Sequence, residues 1–111
     1  MKILFVCSAN QDRSPTAENI YKNHPGLEVK SAGVSWYARM PVSYDLVNWA
    51  DVILTMEEWQ QDEIVEDYAE LISCKTIDYL DVPDMYRYMH PLLQKIIREK
   101  VDTWLNKNQQ K

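Results

Sequence analysis

The chain has 111 residues, 46% of them hydrophobic, with only two glycines and five prolines, so residues 1–111 read as a single domain large enough to bury its own core. Seventeen acidic residues against twelve basic ones give a net charge of −5, which argues against a nucleic-acid-binding surface. Two cysteines are too few for a disulfide scaffold, Met1–Val6 is too short for a signal-peptide core, and no apolar run approaches the ~20 residues that span a membrane, so no membrane partner and a reducing, cytoplasmic setting are expected.

The first element is a buried strand, the apolar run Ile3-Leu4-Phe5-Val6 leading into Cys7. A polar loop, Ser8 to Arg13, follows. Ser14-Pro15 then opens a helix to about residue 24, with Ala17, Ile20 and Tyr21 on one side, and Pro25-Gly26 stops it. Leu27–Ser31 alternates as a half-buried second strand, ended by Ala32-Gly33. Residues 34–42 form an aromatic loop, and a short helix over 42–50 turns Leu46, Val47 and Ala50 inward.

Val52–Met56 is the third strand. Glu57–Tyr68 reads as a surface helix whose sparse apolar face is Trp59, Ile64 and Val65. The fourth strand is expected within Leu71–Ile77, with Cys74 in it. Residues 78–90 make a polar, aromatic loop. Pro91 opens the last helix, to about Asn106, with Leu93, Ile96, Ile97, Val101, Trp104 and Leu105 as its core stripe; the Asn106–Lys111 tail is expected to fray. Alternation of strands and helices implies an α/β fold: a three-layer αβα sandwich, doubly wound on a four-stranded parallel sheet, in the flavodoxin-like order 2-1-3-4. No Gly-x-Gly-x-x-Gly and no Gly-Lys-Ser/Thr loop is present, which removes dinucleotide and P-loop NTPase readings.

The chemistry concentrates where the first strand turns into the first helix. A loop wrapped onto a helix N-terminus aims backbone N–H groups and the positive end of the helix dipole at one spot, a nest for a tetrahedral oxyanion. Residues Ser8, Ala9, Asn10, Gln11, Asp12, Arg13 and Ser14 would line it, with Arg13 holding two anion oxygens through its planar fork. Cys7 lies beneath, in a field that favours thiolate, and Ser14 is placed to hydrogen-bond the sulfur. The expected reaction is in-line attack of the Cys7 sulfur on a phosphoryl group, giving a phosphocysteine intermediate. Asn10 tolerates left-handed backbone and reads as a brace for the loop.

Val6-Cys7-Ser8-Ala9-Asn10-Gln11-Asp12-Arg13-Ser14-Pro15-Thr16-Ala17-Glu18 resembles the signature loop of the low-molecular-weight protein tyrosine phosphatases. Ser31-Ala32-Gly33, Tyr37-Ala38-Arg39 and Ala50-Asp51-Val52-Ile53-Leu54-Thr55-Met56 are similar to further segments of that family, so the likeness covers most of the chain. It implies a cysteine-dependent phosphomonoesterase hydrolysing phosphotyrosine, on a phosphorylated protein or as a small aryl phosphate, with inorganic phosphate as product and no cofactor or metal. His24 and His90, far apart, have no metal-ligand spacing.

Expelling an aryl or alkyl oxygen calls for a proton donor, and the 78–90 loop offers Asp78, Asp81 and Asp84. Composition alone leaves the three open. Asp81-Val82-Pro83-Asp84-Met85-Tyr86 resembles the family's acid loop, which implies Asp84 as general acid and Tyr86 as an aromatic wall, with Asp81 the runner-up. Trp36 and Tyr37 are the other candidate wall residues.

The chain also departs from the family. The span between Gly33 and Asp51 is shorter, so the chain looks like a compact variant. Ala9 stands where Gly is usual, Met85 where Pro is, and Asp12 where many members carry a second cysteine that protects the nucleophile. Asp12 therefore sets a negative charge beside the nest. The Cys7–Ser14 loop also resembles that of a phosphatase acting on serines of the RNA polymerase II tail, which keeps phosphoserine as an alternative substrate. Arsenate reduction is a further alternative and needs a resolving thiol, for which Cys74 is the one candidate in the chain.

Overall fold

The computed structural model describes residues 1–109. Nine elements follow in order: β1 (Lys2–Cys7), α1 (Arg13–Tyr21), β2 (Glu28–Gly33), α2 (Tyr44–Trp49), β3 (Val52–Thr55), α3 (Glu58–Asp67), α4 (Ala69–Ile72), β4 (Thr76–Tyr79) and α5 (Pro91–Gln109). The strands form one parallel sheet in the order β2-β1-β3-β4. All four therefore point their carboxyl ends at the same edge.

Side chains that alternate along β1 divide the core in two, as the two-residue period of a strand requires. Ile3, Phe5 and Cys7 face a cluster with Tyr21 of α1 and Leu93, Ile97, Val101 and Trp104 of α5. Leu4 and Val6 face the opposite cluster, with Val47 of α2 and Ile64 of α3. The result is the expected three-layer αβα arrangement, with β1 buried on both faces. Cα pairing sets Cys7 beside Gly33 and Val6 beside Thr55, so the ends of β2 and β3 flank the β1 loop.

Local differences from expectation have physical causes. Leu71 and Ile72 belong to α4 and pack on the second cluster, and β4 begins only at Thr76. As an edge strand β4 is only partly covered, so it lacks the apolar run that marks a central strand. Cys74 accordingly sits in an exposed turn ahead of β4, and Asp78 lies in β4 itself, accepting the Trp104 indole N–H at 3.2 Å. On α3 the buried side chains are Gln60 and Ile64, while Trp59 and Val65 face solvent. Helix α5 runs past the expected end at Asn106 to Gln109; Gln110 and Lys111 lie outside the described residues.

Candidate active site

The loop between β1 and α1 is shaped from outside by the segment that follows β2. Val34 N–H donates to the Cys7 carbonyl at 2.9 Å, Ser35 N–H to Ser8 O at 3.0 Å, and Arg39 N–H to Ala9 O at 3.0 Å. The Arg39 Nε–H takes Asn10 O at 3.1 Å. Four successive carbonyls thus point outward. In a planar trans peptide the N–H points opposite to its carbonyl, so the amides of Ser8, Ala9, Asn10 and Gln11 point inward. Asn10 makes the turn with a φ of 54°, in the left-handed region that Asn tolerates. Gly33 lets the two segments meet: a Cβ there would lie 2.6 Å from Ser8 O and 2.7 Å from Ala38 Cβ.

The sulfur of Cys7 lies on the floor, 3% exposed. Asn10 N–H donates to it at 3.2 Å, and Ser14 Oγ is 3.0 Å away. Asn10 Nδ2 donates to Ser14 Oγ at 2.9 Å and to Ser31 Oγ at 3.0 Å; Ser31 in turn donates to Glu18 Oε1 at 2.6 Å. Because Ser14 Oγ already accepts from Asn10, its own proton is directed to the sulfur or to Ala32 O at 3.2 Å. A negative sulfur is the stronger acceptor of the two.

Arg13, at the start of α1, is 2% exposed. Its Nη1 donates to Glu57 Oε2 at 2.7 Å and to Val82 O at 2.9 Å. Nη2 lies 3.5 Å from Ser8 Oγ, and Nε lies 3.9 Å from Asp84 Oδ1. Glu57 and Gln60 were not anticipated. Gln60, fully buried, accepts the Met56 and Glu57 amides at 3.0 and 2.9 Å and donates to Ser8 Oγ at 3.0 Å. The Glu57-x-x-Gln60 spacing at a strand-to-helix junction is a capping-box pattern and was the available signal.

A cavity of about 110 Å³ opens over the sulfur, lined by Cys7, Ser8, Ala9, Gln11, Asp12, Arg13 and Asp84. Of the three candidate acids, Asp84 borders it. Asp78 is held in β4 against Trp104, and Asp81 is an exposed hinge residue with φ 59°. Asp12 uses Oδ1 to accept the Tyr88 N–H at 2.8 Å. None of the three expected wall residues lines this cavity. Trp36 and Tyr37, 88% and 61% exposed, stack edge to face at 5.7 Å on the 34–42 loop. Tyr86 leans on the core with its ring 5.0 Å from that of His90. Gln11 also borders a larger hollow of about 540 Å³ over α1, which Glu18, Arg39 and Tyr88 share. Cys74 precedes β4 whereas Cys7 ends β1, so in a parallel sheet the two thiols sit at opposite edges.

Residues 2–43 match the family model described as low molecular weight phosphotyrosine protein phosphatase. A protein-arginine-phosphatase of Geobacillus stearothermophilus is 34% identical over 93 residues, which is 62% of this chain and 63% of that protein. The chain thus spans less than two thirds of the length of that curated relative. The solved YwlE arginine phosphatase from the same organism is 25% identical and superimposes over 97% of this chain and 94% of that one, with a TM-score of 0.69. The low molecular weight protein tyrosine phosphatase SP-PTP of Streptococcus pyogenes, 19% identical, shares the fold over 96% of this chain and 91% of its own at a TM-score of 0.77. The loop from β1 into α1 and the sheet order agree with these similarities: over residues 2–43 the chain is similar to the low molecular weight phosphotyrosine protein phosphatases, and over nearly its whole length it shares their fold.

Proposed function

We propose that the protein is a cysteine-dependent phosphomonoesterase and that phosphotyrosine, or another aryl phosphate, is its substrate. The observation that carries this reading is the floor of the small cavity: one sulfur, hydrogen-bonded by Asn10 N–H, under a ring of inward amides with a buried arginine beside it. Equatorial phosphoryl oxygens take the Ser8, Ala9 and Gln11 amides and the Arg13 guanidinium. The Cys7 thiolate attacks phosphorus in line, forming the S–P bond as the bond to the leaving oxygen breaks. Asp84, as the carboxylic acid, gives its proton to that oxygen. The resulting carboxylate then takes a proton from water as the water oxygen attacks phosphorus, the S–P bond breaks, and inorganic phosphate leaves. Ser14 donates to the sulfur while it is negative, before attack and again as it departs. General acid catalysis of this kind contributes roughly 10²–10⁴-fold, and inward-facing donors act on charge that grows in the transition state.

A second reading, phosphoarginine, is favoured by the 34%-identical relative described as a protein-arginine-phosphatase. Its nitrogen leaving group needs the same proton from Asp84. Phosphoserine is a third substrate with the same chemistry and a poorer leaving group. Arsenate reduction needs a thiol to resolve the cysteine adduct; Cys74 is at the far edge of the sheet, so an external thiol would have to serve. The test is hydrolysis of an aryl phosphate and of phosphoarginine by the wild type, Cys7→Ser and Asp84→Asn. Turnover by the wild type, abolition in Cys7→Ser and a loss of about 10²-fold or more in Asp84→Asn are expected. An inert wild type between mildly acidic and neutral pH overturns the phosphatase reading. Arginine turnover outrunning aryl turnover replaces the substrate.

A further inference from the structure

Asp12 is the residue that the loop chemistry leaves without a task. A carboxylate at the lip of an anion nest repels the anion, so its presence asks for a compensating role. Its Oδ1 accepts the backbone N–H of Tyr88 at 2.8 Å, 76 residues away in the chain. Around this contact the end of the 80–90 loop is fastened to α1 at two further points. Met89 N–H donates to Thr16 Oγ1 at 2.9 Å, and Thr16 Oγ1 donates to Asp12 O at 2.6 Å. The phenol oxygen of Tyr88 accepts from Asn19 Nδ2 at 2.8 Å.

The beginning of the same loop is fastened separately. Leu80 N–H donates to Thr55 O at 2.8 Å, Val82 N–H to Met56 O at 2.8 Å, and Val82 O accepts from Arg13 at 2.9 Å. Between the two anchors lie only Pro83 to Arg87, and the exposed Asp84 carboxyl is in that span. Two non-glycine residues with positive φ, Asp81 at 59° and Met89 at 60°, mark its two ends. Left-handed backbone at such residues is held in place by its surroundings rather than by its own preference. Among the described residues the one backbone bond inside the span is Met85 N–H to Pro83 O, and at its end Arg87 O accepts from His90 N–H at 3.0 Å, so the span depends on its anchors for position.

We infer that Asp12 is a positioning residue for the general acid: it fastens the Tyr88 end of the 80–90 loop and so sets where Asp84 stands over the Cys7 sulfur. The inference rests on the phosphatase reading, with Asp84 as acid. It assigns Asp12 a role in proton delivery, through the loop, rather than in holding the anion.

That role has a signature which a merely structural residue lacks. A proton donor matters when the leaving group is basic and little when it is not. The experiment measures kcat/KM for phenyl phosphate, a poor leaving group, and for 2,4-dinitrophenyl phosphate, a good one, in the wild type, Asp12→Ala, Asp12→Asn, Asp84→Asn and the double variant Asp12→Ala/Asp84→Asn. Asp12→Ala is expected to lose about 10–100-fold on phenyl phosphate, the scale of a misplaced catalytic group, and within about threefold nothing on the dinitrophenyl ester, whose departure needs little protonation. Asp12→Asn keeps an acceptor for the Tyr88 amide and is expected to restore the wild-type ratio between the two esters. The double variant is expected to be no slower than Asp84→Asn, because the two act as one unit. Amide hydrogen exchange at Tyr88 is expected to quicken in Asp12→Ala alone among the single variants.

Equal losses on both esters would place Asp12 in the anion site and overturn the inference, as would an unchanged Tyr88 exchange rate. A wild type that hydrolyses neither ester overturns the phosphatase reading itself, and a wild type unaffected by Asp84→Asn overturns the choice of acid. If Asp12→Ala does not fold, Thr16→Val decides the question through the adjoining anchor: an unaltered ester ratio there refutes the fastening.

Discussion

Replacing Glu57 by Gln isolates the closer and less exposed of the two ion pairs that hold Arg13, the other being the 3.9 Å approach of Asp84. Arg13 is 2% exposed and Glu57 about one third exposed, with 2.7 Å between Nη1 and Oε2. Breaking a fully buried pair by neutralising one partner costs about 3–5 kcal/mol, because the other charge is left uncompensated. An exposed pair is worth about 0–1 kcal/mol. Glu57 lies between these limits, and a glutamine oxygen can still accept from Nη1, so a loss of about 1–3 kcal/mol is expected. At roughly 4–8 °C per kcal/mol for a domain near this size, the melting temperature falls by about 4–24 °C. Phosphate should then narrow the gap. A bound dianion supplies the missing counter-charge in Glu57→Gln, whereas in the wild type it meets a guanidinium already shared with a carboxylate. Melting curves of both proteins with and without phosphate test this. A variant that melts within about 1 °C of the wild type, or a gap that phosphate leaves unchanged, refutes the assignment of Glu57 as the resident counter-charge.

Gly33→Ala is expected to displace the loop, since the new methyl meets Ser8 O at 2.6 Å and Ala38 Cβ at 2.7 Å; overpacking of this kind costs about 1–3 kcal/mol, and phosphate affinity measured by calorimetry should fall with it. Asn10→Ala forfeits two donated hydrogen bonds and leaves alanine at a φ of 54°. Denaturant melts should show a loss of about 2–4 kcal/mol, combining the left-handed strain with the broken bonds. Burial and then the Asp102 carboxylate, which accepts from the Tyr21 hydroxyl at 2.8 Å, push Tyr21 well above its ordinary value near 10. The neutral form is thus favoured in the folded state, so this contribution is complete below pH 10 and is lost as the pH climbs beyond it. Urea midpoints followed from pH 8 to 11 should decline more steeply in the wild type than in Tyr21→Phe, and parallel curves would refute the linkage.

The parts of this molecule that the sequence made legible are those governed by a period or by one residue's special chemistry. The unbroken apolar run Ile3–Val6 needs burial on both faces and the stripe Leu93 to Leu105 burial on one, and both are found so. Cys7, Arg13 and Ser14 come together because the chain has only one short turn in which to pass from strand to helix. What escaped reading depends on partners distant in the chain. Glu57 and Gln60 acquire meaning only once β3 lies beside β1 and brings them to Arg13 and Ser8. Asp12 looked like a liability until the 80–90 loop folded back and offered it the Tyr88 amide. Trp36 and Tyr37 were placed by residue type as wall candidates, but their loop spends its backbone donors on the Ser8 and Ala9 carbonyls and leaves both rings in solvent. The edge strand β4 carried too little apolar character to show its boundaries.

The most direct test of the central claim is to trap the intermediate. Asp84→Asn removes the base for the second step, so with 2,4-dinitrophenyl phosphate, which needs little protonation to depart, a phosphoryl group should accumulate on the protein. Rapid quenching and peptide mass spectrometry are expected to find it on the Cys7 sulfur, at near one group per chain, and to find none in Cys7→Ala carrying the same Asp84→Asn change. Dinitrophenol release by Asp84→Asn without any phosphoryl group on Cys7, or with the group on another residue, would contradict the account.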